Sequence, residues 1–122
     1  MTKTVKRLRL SVNYIGSFLF LYLLKEDNIL NILLMLVFCH LIGDYVLQSD
    51  FLAKTKGENW YHLFIHCALY CIPFYVLFGL TWQLLFIFAV HLIVDPLKAR
   101  YNKISYAQDQ SIHYLATLVY LI

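Results

Sequence analysis

Apolar residues run in long blocks along this chain with barely a charge inside them, and charge marks where each block stops. After Lys3, Lys6, Arg7 and Arg9 comes a first apolar segment, residues 10–24, closed by Lys25, Glu26 and Asp27. A second runs from residue 29 to about 48 and gives way to a polar stretch over residues 49–59. The third runs from Trp60 to about Phe78 with Pro73 inside it, and Gly79, Leu80 and Thr81 form the expected turn. The fourth extends from Trp82 to about Leu97, its end marked by Pro96 and by Lys98, Arg100 and Lys103. A last apolar stretch begins near Ser111 and runs to Ile122.

At about 1.5 Å per residue, helices over the second and third segments reach across a hydrocarbon layer of roughly 30 Å, and the fourth nearly does. The first and last are shorter, and the last is expected either to be a half-span packed on its neighbours or to belong to an incomplete version of a longer chain. The pattern predicts an all-α, polytopic transmembrane bundle of four to five helices. Residues 1–28 form a basic N-terminus with a short apolar crossing, and 29–122 form a four-helix membrane domain. No Pro/Gly/Ser-rich linker or internal repeat divides the chain further.

Composition agrees, with 61% hydrophobic, 17% aromatic and 14% charged residues among 122. A water-soluble fold of this length has too little polar surface to cover such a core. The formal charge of +3 is modest, and the basic residues gather at segment ends, where they fix topology and meet anionic headgroups; nothing forms a nucleic-acid surface. With a cytoplasmic N-terminus and every segment crossing, Lys54, Lys56, Lys98, Arg100 and Lys103 all fall inside, and Lys25 alone lies outside beside Glu26 and Asp27. This favours a multi-pass protein of the cell inner (plasma) membrane. It requires residues 10–24 to span; as a signal peptide they lack a small-residue cleavage site before Lys25.

Candidate chemistry lies in four pairs with one spacing. His40 and Asp44, His62 and His66, His91 and Asp95, and Asp109 and His113 are each four residues apart, one helical turn on one face, and they take in every histidine of the chain. With alternating helix directions all four pairs fall in the cytoplasmic half, from the interface to roughly 13 Å deep. Imidazole and carboxylate are the donors that Zn, Mn or Fe take, and one or two divalent ions would offset Asp44, Asp95 and Asp109, two fitting the number of ligands better. An unpaired carboxylate at a helix centre costs about 2.5–3.5 kcal/mol even on lenient insertion scales. The alternative is a set of interhelical hydrogen bonds, each contributing about 0.6 kcal/mol.

Asp44, Asp95, His91 and His113 are the leading ligands, with His40, His62, His66 and Asp109 as further ligands or orienting groups. Gln48 continues the His40–Asp44 stripe and Lys98 follows Asp95, so both are placed as substrate contacts, with an interface cap and a snorkelling side chain as their plainer roles. Lys56, with the rest of the polar stretch, is expected to be solvated unless that stretch folds over the site. Cys39, Cys67 and Cys71 read as small buried hydrophobes; Cys67 and Cys71 share a helix face, which leaves a soft-metal pair as the alternative. Trp60, Tyr61, Trp82 and Tyr101 read as interfacial belt residues, and Tyr70 as packing.

The runs His40-Leu-Ile-Gly-Asp44-Tyr-Val-Leu-Gln48, His91-Leu-Ile-Val-Asp95-Pro-Leu-Lys98 and Asp109-Gln-Ser-Ile-His113, with His66 between them, resemble the bacterial domain-of-unknown-function family 3307. The resemblance covers about residue 30 to the C-terminus, with the first motif its most specific part, and it implies a small multi-helix inner-membrane protein. A more distant likeness is to membrane-bound metal-dependent hydrolases. It implies hydrolysis of a lipid or phosphoester at the cytoplasmic face, with membrane lipid as partner and a homo-oligomer as one assembly. Metal-ion or proton transport or sensing, and a structural subunit whose polar cluster sets helix register, are the competing functions.

Overall fold

The computed structural model describes residues 29–122, all of whose regular elements are helical. The expected crossing at residues 10–24, and the topology argument that depends on it, lie outside the described residues. Helix α1 (Ile29–Leu41) passes directly into a π-helical turn (Ile42–Val46); α2 (Asp50–Thr55) is short; α3 (Trp60–Phe78), α4 (Trp82–Ala99) and α5 (Tyr106–Thr117) follow, and a 3₁₀ turn (Leu118–Leu121) ends the chain. Three stretches, Ile29–Val46, Trp60–Phe78 and Trp82–Ala99, are long and apolar enough to span a membrane, which marks this as a membrane protein.

Helix starts are written in side chains that satisfy free backbone N–H groups. Asn59 accepts from the amides of Tyr61 and His62, Thr81 from Leu84, and Ser49 from Leu52. Ser105 and Gln108 form a reciprocal capping box, so α5 begins at Tyr106, five residues before the apolar stretch that announced it. The extra turn buries Asp109 and Gln110, and it places Asp109 and His113 on the same helix. At the far end of α3, Gly79 adopts φ 78° and ψ −167°, a conformation that essentially only glycine takes, and its N–H still bonds the Tyr75 carbonyl as the helix stops.

The bundle has two unlike halves. Toward the α3–α4 turn, Leu36, Cys39, Tyr70, Cys71, Phe74, Leu84 and Ile87 form an apolar core, with Val119 and Tyr120 of the chain end packed against it. The last segment thus packs on its neighbours through Val119 and Tyr120. The rest of the bundle buries a polar set, His40, Asp44, Lys56, His66, His91, Asp95, Asp109, Gln110 and His113, beside Leu52, Leu63, Cys67 and Val94. All three cysteines are free and buried, as small hydrophobes would be.

Two close approaches hold the polar half together. A Cβ on Gly43 would lie 2.5 Å from the Tyr70 carbonyl oxygen, so only glycine lets the π-turn sit against α3. A Cβ on Gly57 would lie 2.4 Å from the Ala99 carbonyl oxygen, which seats the stretch after α2 on the end of α4. The polar stretch of residues 49–59 is thus a folded strap over the end of the bundle rather than a solvated loop. Thr55 on the strap pairs with His62 Nδ1 at 2.8 Å, and Arg100 reaches the Gly57 and Glu58 carbonyls at 3.4 and 3.3 Å.

Candidate metal centre

Asp44 sits in the π-turn, where one extra residue per hydrogen-bonded ring widens the helix; Leu47 N–H bonds the Ile42 carbonyl at 2.9 Å across it. His66 lies six residues into α3. His91 and Asp95 lie one turn apart on α4, and Asp109 and His113 one turn apart on α5. Helices that are far apart in sequence bring all six side chains together, each 0–5% exposed.

The three carboxylates share one arrangement: one oxygen is tied down and the other is not. Asp44 Oδ2 accepts from Gln110 Nε2 at 2.9 Å, Asp95 Oδ2 from Lys56 Nζ at 2.6 Å, and Asp109 Oδ2 from Lys98 Nζ at 2.5 Å and Gln110 Nε2 at 3.2 Å. Among the described residues the Oδ1 atoms of Asp95 and Asp109 have no hydrogen-bond partner, nor does His113 Nε2, although His113 Nε2 lies 3.5 and 3.2 Å from those two oxygens. Asp44 Oδ1 faces His66 Nε2 at 3.3 Å and His91 Nε2 at 3.6 Å.

His66 Nε2 is the most crowded atom of the set. Around it stand His91 Nε2 at 2.9 Å, Lys56 Nζ and Asp95 Oδ2 at 3.2 Å each, and Asp44 Oδ1 at 3.3 Å. One ring nitrogen makes one strong bond along its bisector, as donor or as acceptor, so most of these neighbours go unsatisfied by it. Nδ1 of His66 and of His91 also lacks a partner among the described residues. Buried unsatisfied groups each cost roughly 1–3 kcal/mol, so such a concentration calls for an explanation beyond packing.

Two groups are spaced to hold a metal ion, Asp44–His66–His91 and His91–Asp95–His113, with ligand atoms within 4.8 Å of one another. Zinc bonds of about 2.0–2.2 Å in a tetrahedron imply ligand separations of roughly 3.3–3.6 Å. Two edges of the first group, 3.3 and 3.6 Å, fall in that range, and the third, 2.9 Å between His66 and His91, is shorter. The donor set fits a borderline divalent ion.

His40 belongs to the supporting layer, a placement that follows from donor counting. Gln110 Nε2 donates to two carboxylates, so its Oε1 is an acceptor, and His40 Nε2 donates to it at 3.0 Å. His40 Nδ1 then accepts from the Tyr70 hydroxyl at 3.1 Å, and no lone pair remains for a metal. Tyr70 also stacks on His91 with ring centroids 4.0 Å apart, and His91 stacks on His113 at 4.0 Å.

Of the eight candidate ligands, seven therefore meet in one cluster: six at its centre and His40 behind Asp44. His62 lies apart, bonded to Thr55 and packed against Phe51 at 4.9 Å, pinning the strap. Lys98 contacts Asp109 and lies 5.4 Å from the Tyr106 ring centre, while Gln48 is half-buried with its Oε1 unpartnered. Lys56, Gln110 and Tyr70 are the site residues that sequence reasoning missed. Gln110 sat inside a quoted motif next to Asp109, and its place beside the aspartate of a candidate pair was signal enough. Nothing in the sequence singled out Lys56 from the basic residues around it.

The model of the family described as "Protein of unknown function (DUF3307)" matches residues 32–122. The chain belongs to that family. No curated protein and no solved structure matches it. In this DUF3307 protein all six central residues of the cluster, together with His40, Lys56, Lys98 and Gln110, fall within the matched range.

Proposed function

We propose that this protein lies in the cell inner membrane and holds one divalent ion, Zn, Mn or Fe, near the cytoplasmic face. The ion would serve hydrolysis of an ester or phosphoester in a membrane lipid or lipid-derived substrate. The observation that carries the reading is the convergence of untied carboxylate oxygens and imidazole Nε2 atoms from four elements of the bundle, at ligand-to-ligand separations. Exposed Lys54, Arg100 and Lys103 lie in the strap and the α4–α5 turn, at the cluster's end of the bundle, which supports the cytoplasmic orientation.

One ion fits better than two. His91 is common to both candidate groups, and its Nε2, 3.6 Å from Asp44 Oδ1 and 3.7 Å from Asp95 Oδ1, has a single lone pair to give. Charge points the same way: three aspartates face two ammonium groups, Lys56 and Lys98, so with neutral imidazoles one negative charge is unbalanced. Asp44, His66 and His91 would hold the ion, with Asp95 and His113 beside it. Such an ion lowers the pKa of bound water from about 15.7 toward 7 and polarises an ester or phosphoryl oxygen. Gln110 and His40 keep Asp44 oriented, Lys98 does the same for Asp109, and the apolar half seals the cluster from the far side.

Elemental analysis of the detergent-purified full chain tests this, beside an Asp44→Asn, His91→Ala double variant that retains helicity. About one equivalent of metal, lost in the variant, is expected, and a screen of lipid phosphoesters then follows. Absence of metal from the unaltered chain, even after reloading with Zn, Mn and Fe, refutes the proposal. It would leave a second reading, a cluster that fixes helix register through its own charges, which the ion pairs of Lys56 and Lys98 favour.

A further inference from the structure

Lys56 is an unusual tenant of this cluster. It is carried by the strap rather than by a spanning helix, is 6% exposed, and places its ammonium 2.6 Å from Asp95 Oδ2 and 3.2 Å from His66 Nε2. An ammonium has three donors and no acceptor, so its only favourable bond to an imidazole nitrogen is to the lone pair. A metal ion needs that same lone pair. His66 Nε2 cannot serve both.

Resting on the metal reading above, we propose that Lys56 is the resident cation of the centre and that a divalent ion must displace its ammonium from His66 to bind. The strap then makes occupancy of the centre visible at the membrane surface, because the group that leaves is attached to it. Gly57, packed on Ala99, and Thr55, bonded to His62, keep the strap backbone in place on either side of Lys56. The lysine stem carries the exchange: its rotatable bonds let the ammonium leave His66 while the backbone stays. Of the cluster's two ammonium groups only Lys56 contacts an imidazole nitrogen; Lys98 pairs with Asp109 Oδ2 instead. The two lysines therefore separate competition for a ligand from general charge repulsion.

The test is Zn²⁺ titration of the purified full chain and of Lys56→Met and Lys98→Met. Lys56→Met is expected to tighten binding at least tenfold, and Lys98→Met clearly less. Equal or weaker binding by Lys56→Met overturns the proposal, and so does tightening by Lys98→Met to the same degree, since charge alone would then explain it. If the unaltered chain binds Zn²⁺ and Lys56→Met binds no better, the competition fails while the metal reading stands; if neither binds, both fail. Reductive methylation of the unaltered chain needs no variant to fold: Zn²⁺ is expected to raise labelling of Lys56 severalfold, and unchanged or reduced labelling overturns the displacement.

Discussion

Gly43→Ala adds one methyl group at the point where the π-turn meets α3. The new Cβ would stand 2.5 Å from the Tyr70 carbonyl oxygen and 3.0 Å from Tyr70 Cα. Both are backbone atoms, which no rotamer change can move aside, so the two helices must separate by about 1 Å to restore an ordinary contact. Overpacking of this kind costs roughly 1–3 kcal/mol, and with backbone on one side the upper end applies, about 3 kcal/mol. The geometric consequence is sharper than the energetic one. Asp44 is the next residue after Gly43, and His66 lies one turn before Tyr70, so the same displacement opens the 3.3 Å contact between Asp44 Oδ1 and His66 Nε2. Metal–ligand distances tolerate about 0.2 Å, so a shift several times larger removes Asp44 as a ligand. Circular dichroism melts and Zn²⁺ titration in detergent should show a lowered melting temperature together with a loss of affinity of at least tenfold. Gly79→Ala is the control, since nothing among the described residues lies within 4 Å of its Cβ and its φ of 78° is what resists substitution. It should cost about 1–3 kcal/mol by strain and leave Zn²⁺ binding unchanged. Full affinity in Gly43→Ala would refute the claim that this contact sets the Asp44–His66 distance.

His62→Ala should retain metal at full stoichiometry in elemental analysis while cleavage of the strap by a soluble protease speeds up, because the lost bond is to Thr55 and no cluster residue is touched. Lys98→Met leaves Asp109, 0% exposed, without its ammonium; removing one partner of a buried pair costs about 3–5 kcal/mol, and the 24% exposure of Lys98 puts this pair at or below the lower figure, readable as a lowered unfolding midpoint in detergent. Phe74→Ala empties a fully buried position in the apolar half, with an expected loss of about 3–5 kcal/mol in the same assay and no change in metal content.

The spanning helices were legible because a bilayer imposes one plain demand, a block of apolar residues long enough to cross it, and such blocks survive any detail of packing. The one-turn spacing of His and Asp was legible for a related reason, since few arrangements other than a shared helix face produce it. His62 shares the spacing but lies apart from the cluster, bonded to Thr55 of the strap. The strap was hidden because its seat depends on Gly57 fitting against Ala99, a contact between residues 42 apart that no local pattern announces. Lys56 was hidden with it. Donor counting at His40 needed the positions of Gln110 and Tyr70, and the proposal of one ion rather than two rests on the ammonium partners of two aspartates, which no local pattern announces.

The division of the bundle into a polar half and an apolar half has an electrical consequence. Leu36, Phe74, Leu84 and Ile87 close the far side of the cluster, so an ion that reaches His66 enters and leaves by the same face. His66 lies six residues into α3, roughly 9 Å along the helix axis and about a third of a 30 Å hydrocarbon layer. A charge crossing the whole layer exchanges about 2.3 kcal/mol with a potential of 100 mV, so a divalent ion stopping at that depth exchanges about 1.4 kcal/mol, close to tenfold in affinity. With the proposed ion bound, the centre would be a cul-de-sac inside the membrane field: a potential negative on its open side would loosen the ion, and depolarisation would tighten it, without any charge being carried across.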